Sequence, residues 1–219
     1  SHKYSYNGNG DVTVVEKYIY TDGGALSRVD VYEAPEVTQE NYDAAAGRAP
    51  PFGIDSISEK NLSKQNFFNT RFGKGREILD FSLNYKDGSQ TNIEVVYYDG
   101  NVRAADAAAD AAMNRIETRK PGAVQIDPPK KLGCLVIPAK TTEGSLLVST
   151  QYFDSRFGKG NEVLSNAVSY QGDGVTIAST TVYKYNSVIG AVLANQAAPG
   201  AKTAEIITKE LISNGAKLK

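Results

Sequence analysis

The chain has 219 residues, 41% hydrophobic and 22% charged, so it can bury a core and is ordinary in composition for a folded protein. Its 24 Lys and Arg against 25 Asp and Glu leave a net charge of −1, which argues against a nucleic-acid binder, whose phosphate contacts need a basic excess. No apolar run reaches the roughly 20 residues that cross a bilayer, so the chain is expected to be soluble. The single cysteine, Cys134, excludes an intramolecular disulfide and any four-thiolate metal site.

Residues 3–36 carry two alternating runs, near 11–20 and 26–33, joined by Asp22-Gly23-Gly24, and these predict a β-hairpin arm. Pro35, Pro50 and Pro51 mark the following stretch as a loop with one helical turn at 39–46. Next comes an internal repeat. QNFFNTRFGKGREIL (65–79) aligns without gaps on TQYFDSRFGKGNEVL (150–164), matching Phe68, Arg71, Phe72, Gly73, Lys74, Gly75, Glu77 and Leu79 to Phe153, Arg156, Phe157, Gly158, Lys159, Gly160, Glu162 and Leu164. Each copy runs into a hairpin pattern, turning at Lys86-Asp87-Gly88 and at Gly172-Asp173-Gly174.

Each hairpin is then expected to lead into a helix. Asn101 can cap the alanine-rich 102–119, and Asn186 can cap 187–196, which Ala198-Pro199-Gly200 separates from a further helical stretch ending at Gly215. Short returning strands follow at 122–126 and 215–219, and the connector holds strands at 132–137 and 146–153. The expected fold is therefore α+β: two repeated β-β-α-β halves with antiparallel sheets, each covered by an alanine-rich helix, plus the N-terminal arm. The divisions fall at 1–56, 57–127 and 128–219; units of this size are marginal alone, which favours a core shared by the halves, but the sequence leaves one core or two open.

Catalytic constellations are poor. The only histidine is His2, so no nucleophile is paired with an imidazole. Cys134 lies in the apolar run Leu132–Ile137, where a thiol reads as an inert small hydrophobe; the alternatives are a prosthetic-group thioether or a redox thiol. Asp106 and Asp110 stand four apart on the expected helix and read as a solvated face. The acidic turns lack the ligand spacing of an EF-hand, and Asn61-Leu62-Ser63 matches the glycosylation triplet. No metal site and no resident cofactor are predicted.

The doubled Arg-Phe-Gly-Lys-Gly has neither the spacing nor the following helix of a phosphate loop. One reading makes it a bend in which Phe72 and Phe157 plug the core. The other makes Arg71, Lys74, Arg156 and Lys159 contacts for a protein partner. Tyrosine is abundant, 13 residues with no Trp, and serves either strand formation or an exposed contact face.

The segments Tyr98–Ile126 and Tyr185–Leu218, each a hairpin end, helix and closing strand after Gly-Ala, resemble the CpcD-type domain of phycobilisome linker polypeptides. The resemblance implies a non-enzymatic protein that scaffolds light-harvesting discs at a thylakoid surface, with Cys134 as a candidate bilin attachment point. Its departures are longer helices, Gly-Ala in place of Gly-Gly, and a slightly acidic charge. The residues thus point first to a structural or binding protein with duplicated contact surfaces. The alternative is a small-ligand carrier or enzyme with a cavity between the halves.

Overall fold

Val, Ile, Thr and Tyr at period two favour extended chain, because branched and aromatic side chains pack well on a pleated surface. In the computed structural model that preference extends over nearly all of the described chain: residues 1–34, 57–121 and 145–185, with the backbone of 192–193 and 206–213. The chain divides into two compact units, Ser1–Thr91 and Asn92–Lys219.

The first unit contains β1 (His2–Tyr6), β2 (Val12–Tyr20), β3 (Leu26–Glu33), β4 (Leu62–Asn69) and β5 (Ile78–Lys86). Each strand pairs antiparallel with the next in sequence. Asp87 and Gly88, at φ 53° and 77°, make the tight turn after β5, since a two-residue hairpin loop needs left-handed backbone at both positions. Strand β6 (Ser89–Tyr98) starts there and runs on into the second unit.

The second unit continues with β7 (Val102–Arg103), β8 (Met113–Arg119), β9 (Leu147–Asp154), β10 (Val163–Tyr170), β11 (Ile177–Tyr185), β12 (Val192–Leu193) and β13 (Ile206–Ser213). The pairings β6·β8, β8·β9, β9·β10, β10·β11 and β11·β13 are antiparallel. The short strands β7 and β12 pair with the ends of β6 and β11.

The registers show a repeat wider than the RFGKG element. The β2·β3 ladder slips between Ile19 and Tyr20, β6·β8 between Tyr97 and Tyr98, and β11·β13 between Lys184 and Tyr185. After each slip a tyrosine faces the first residue of the returning strand: Tyr20 with Leu26, Tyr98 with Met113, Tyr185 with Ile206. Strands β2-β3-β4-β5 therefore correspond to β6-β8-β9-β10, and β11·β13 repeats the first hairpin again.

The expected α+β class is overturned: the described residues form antiparallel sheet, and among the described residues of the two alanine-rich segments there is no α-helix. Over 102–119 there are instead β7, a turning loop and β8. Ala104, Ala107, Ala109 and Ala112 are buried, while Ala107 N–H donates to Arg103 and Ala111 N–H to Ala108. Alanine is selected here for size beneath a tightly folded loop. Helix propensity differences of a few tenths of a kcal/mol per residue lose to two strand ladders that zip Met113–Arg119 between β6 and β9. In the second helical segment, Val192–Leu193 and Ile206–Ser213 are likewise strands.

The hairpin at 11–33, the strand near 146–153 and the hairpins after each RFGKG run as expected. The helical turn at 39–46, the strand at 132–137 and the closing strands at 122–126 and 215–219 lie outside the described residues. Phe81, Ser82 and Leu83 are consecutive on β5 and all buried, as are Val95 and Val96 on β6. Adjacent strand residues point to opposite faces, so both faces are covered at those points. Among the described residues no helix is long and apolar enough to cross a membrane.

Candidate functional site

The repeated loop has the same construction in both units. Asn69 and Asp154 open it, each side-chain oxygen accepting the N–H two residues on, from Arg71 and Arg156. Two successive turns follow, closed by Gly73 and Gly75 in one copy and Gly158 and Gly160 in the other, all at φ between 78° and 84°. Only glycine takes that backbone without cost. The loop is then tied to a neighbouring hairpin. Glu77 Oε1 accepts Leu26 N–H at 2.7 Å, and Glu162 Oε1 accepts Met113 N–H at 3.0 Å. Glu162 Oε2 also accepts Gly160 N–H at 2.7 Å.

These contacts account for Asn or Asp, the glycines and Glu, and leave Arg and Phe unexplained by backbone needs. Phe72 and Phe157 are half-buried, outside the core, which corrects the expectation that they plug it. Each carries a guanidinium over its ring, Arg71 at 4.4 Å and Arg156 at 4.4 Å from the centroid. Arg71, Lys74, Arg156 and Lys159 are all exposed. The lysines differ in use: Lys159 Nζ donates to the Ala109 carbonyl at 2.9 Å, while the Lys74 stem lies beside Gly24. The copies also differ in charge. Arg76 is 5.7 Å from the Phe72 ring where the second loop has Asn161, and Arg156 pairs with Asp154 where the first has Asn69.

A second constellation lies on the sheets and was not anticipated. In the first unit Arg28 grips Asp30, Nε 2.8 Å from Oδ1 and Nη2 donating to Oδ2 at 3.0 Å. Gln65 donates to Asp30 Oδ1 at 2.9 Å and accepts from the Tyr85 hydroxyl at 2.8 Å. Arg28 also lies over Phe67, which stacks on Phe81 at 4.5 Å. Burial first, and the Asp30 charge second, raises Tyr85 above the ordinary phenol range.

The corresponding carboxylate in the second unit is Glu117, held by two arginines. Arg119 places Nη2 at 2.7 Å and Nε at 3.0 Å from Oε2, and Arg115 Nη2 lies 3.3 Å from Oε1. Arg119 also donates to the Ser145 carbonyl. The Tyr97 hydroxyl donates to Glu117 at 3.3 Å, with Arg115 over its ring at 4.1 Å. Burial, then the Glu117 charge, raises Tyr97 as well. The signal in sequence was an Arg followed two residues later by an acid, Arg28-x-Asp30 and Arg115-x-Glu117. At that spacing both side chains share one face of a strand.

The other expected sites are dispersed. Cys134 lies outside the described residues. Asp106 and Asp110 are exposed, but on a loop. Asp173 caps its own turn, accepting N–H groups from Val175 and Thr176 at 2.9 Å and the Thr176 hydroxyl, whose bond is the main reason its carboxyl is held low. Asn61 accepts the Ser58 N–H and hydroxyl at the end of a 3₁₀ turn. The tyrosines split: Tyr98 and Tyr185 are core, Tyr185 donating to the Leu164 carbonyl at 2.6 Å, whereas Tyr4, Tyr6 and Tyr20 are exposed. Among the described residues, no three His, Cys, Asp or Glu side chains gather into a metal site.

What the architecture defines is a repeating antiparallel β-sheet protein with a duplicated Arg-on-Phe loop. No protein-family model matches the chain, and no curated protein matches its sequence.

Proposed function

We propose that the protein is a non-enzymatic binding scaffold whose two RFGKG loops are contact points for a protein partner. The observation that carries this reading is the 4.4 Å stack of Arg on Phe, recurring in both loops although neither residue is needed for the turn. An exposed guanidinium on a ring contributes about 0.5–1 kcal/mol, too little to explain its recurrence by stability. Arg and aromatic residues are, however, the types that anchor interfaces. The strand at Met113–Arg119, in place of a helix, removes the structural support for a phycobilisome linker, so the proposal stops at a protein-binding scaffold.

The test is native mass spectrometry of the chain isolated from its source, beside the double variant Arg71→Glu/Arg156→Glu. The wild type is expected to carry a stoichiometric protein partner that the variant loses. Melting should change little, since exposed substitutions stay within about 0.5 kcal/mol. A variant that keeps the partner, or a wild type that carries none, refutes the reading.

A further inference from the structure

One strand of the repeat has two neighbours wherever it recurs inside the sheet and a single neighbour at its start. Strand β1 corresponds to β5 and β10: β1·β2 slips between Ser5 and Tyr6, opposite Val12, as β10·β11 slips between Ser169 and Tyr170, opposite Ile177. Side chains stand in rows across the ladders, so the row with Phe81 beside Phe67 in the first unit matches the row with Asn166 beside Tyr152 in the second. By the same match, Tyr4 stands for Leu83 and Val168, and His2 for Phe81 and Asn166. Strands β5 and β10 each carry a further antiparallel neighbour, β4 and β9. Among the described residues β1 pairs with β2 alone.

The difference shows in exposure. Leu83 and Val168 are 5% and 8% exposed, whereas Tyr4 is 36% exposed, and the exposed aromatics among the described residues, Tyr4, Tyr6 and Tyr20, all lie on β1 and β2. It shows in the backbone as well. Tyr18 N–H donates to the Ser1 carbonyl at 2.8 Å and the terminal amine of Ser1 to the Tyr18 carbonyl at 3.4 Å. Ser1, Lys3 and Ser5 therefore exchange bonds with β2, and the N–H and C=O groups of His2 and Tyr4 face the open side.

We propose that this edge pairs with β1 of a second copy of the chain, about a two-fold axis at Tyr4. A two-fold makes the incoming strand antiparallel, which is the direction of β4 on β5 and of β9 on β10. The register that uses all five residues of β1 sets Tyr4 opposite Tyr4 of the second copy, Lys3 opposite Ser5 and His2 opposite Tyr6. Tyr6 of the second copy then takes the place of Phe67 beside Phe81 and of Tyr152 beside Asn166, an aromatic in all three. Centring the axis on Lys3 would instead set two ammonium groups face to face, which cross-strand pairing disfavours. Tyrosine suits such an edge, since its ring buries area while its hydroxyl stays in water. A contact this short makes a weak dimer, with Kd on the order of 100 μM. No residue of an RFGKG loop takes part, so the inference is independent of the loop reading.

The experiment is sedimentation velocity of the full chain from about 10 μM to about 1 mM, a range that brackets that Kd, with NMR amide exchange at both ends of the range. Monomer should give way to dimer and to nothing larger. Exchange at the Tyr4 amide should slow about twofold or more at the high concentration, while Lys3 and Ser5, already bonded to β2, stay unchanged. Tyr4→Pro removes an outward N–H and no bond to β2, so it should weaken the dimer at least tenfold with the melting temperature retained. Tyr4→Lys sets two ammonium groups across the axis and should weaken it as much, and it decides the matter if proline detaches β1. A monomer throughout, growth beyond the dimer, a Tyr4 amide indifferent to concentration, or a dimer that survives Tyr4→Lys overturns the proposal.

Discussion

The two units build the same hairpins with the same slips in register, yet around their matching carboxylates they differ. Around Asp30 the first unit places one arginine, one glutamine and a stacked phenylalanine pair. Around Glu117 the second places two arginines and a tyrosine, and Arg119 stands where the first unit has Tyr32. The backbone tolerates the exchange because ladder hydrogen bonds do not involve side chains. A duplicated sheet can therefore keep its framework while one row of one copy changes from apolar filling to polar groups.

The largest test of that contrast is Phe81→Ala. Phe81 is 1% exposed and stacked on Phe67, so its loss should cost about 3–5 kcal/mol in denaturant unfolding. The matching Asn166→Ala should cost under about 1 kcal/mol, since it removes no large apolar volume. Equal losses would mean that the second row is packed like the first. Next comes Glu117→Gln, which leaves two partly buried guanidiniums facing a neutral amide. A destabilisation of about 3 kcal/mol is expected, larger than for Asp30→Asn, where one guanidinium is stranded and is more exposed. The reverse order in chemical denaturation would show that the second cluster is no more charge-dependent than the first.

Smaller effects should come from the loop anchors. Glu77→Gln and Glu162→Gln each weaken a charge-assisted bond to a strand N–H, at about 1–2 kcal/mol. Thermal melting of the two single variants checks it, and an unchanged melting temperature in both would show that the loops are not anchored by these carboxylates. The smallest effect belongs to the N-terminal strands. The Tyr18 hydroxyl donates to Glu16, which is the main cause that raises Tyr18 to about 12 and lowers Glu16. A phenol raised on folding stabilises fully below its unfolded value near 10, and that contribution is lost as pH climbs from 10 towards 12. A carboxyl lowered on folding stabilises above its ordinary 4.5 and loses that contribution as pH falls through its depressed value. Tyr18→Phe should therefore flatten the loss of stability at both ends of a pH series, and an unchanged profile would show that the pair is decorative.

The hairpins were legible because period-two patterning and Asp-Gly turns are local signals. The repeated loop was legible because it is identical in sequence where its geometry demands it, at the glycines and the anchoring Glu. The site on the sheet was not. Arg115 and Glu117 sat inside an apparent helix, and their counterparts Arg28 and Asp30 lay in an arm that shares little sequence with them. The stretches from Tyr20 to Leu26 and from Tyr98 to Met113 differ in length, which hid the correspondence.

What the sequence determined by itself was the extended character of its branched and aromatic runs, the turns between them, and the duplication of the RFGKG loop, all of which depend on neighbours within a few residues. What only the tertiary structure decided was the state of the alanine-rich segment and the company each charge keeps. Alanine favours a helix only while nothing better is offered. Between β6 and β9 the segment's end gains two ladders, and its alanines gain burial that larger side chains could not share. Likewise, Arg-x-Glu is only a pattern until cross-strand register sets Arg115 between Tyr97 and Tyr152 and lets Arg119 take its carboxylate.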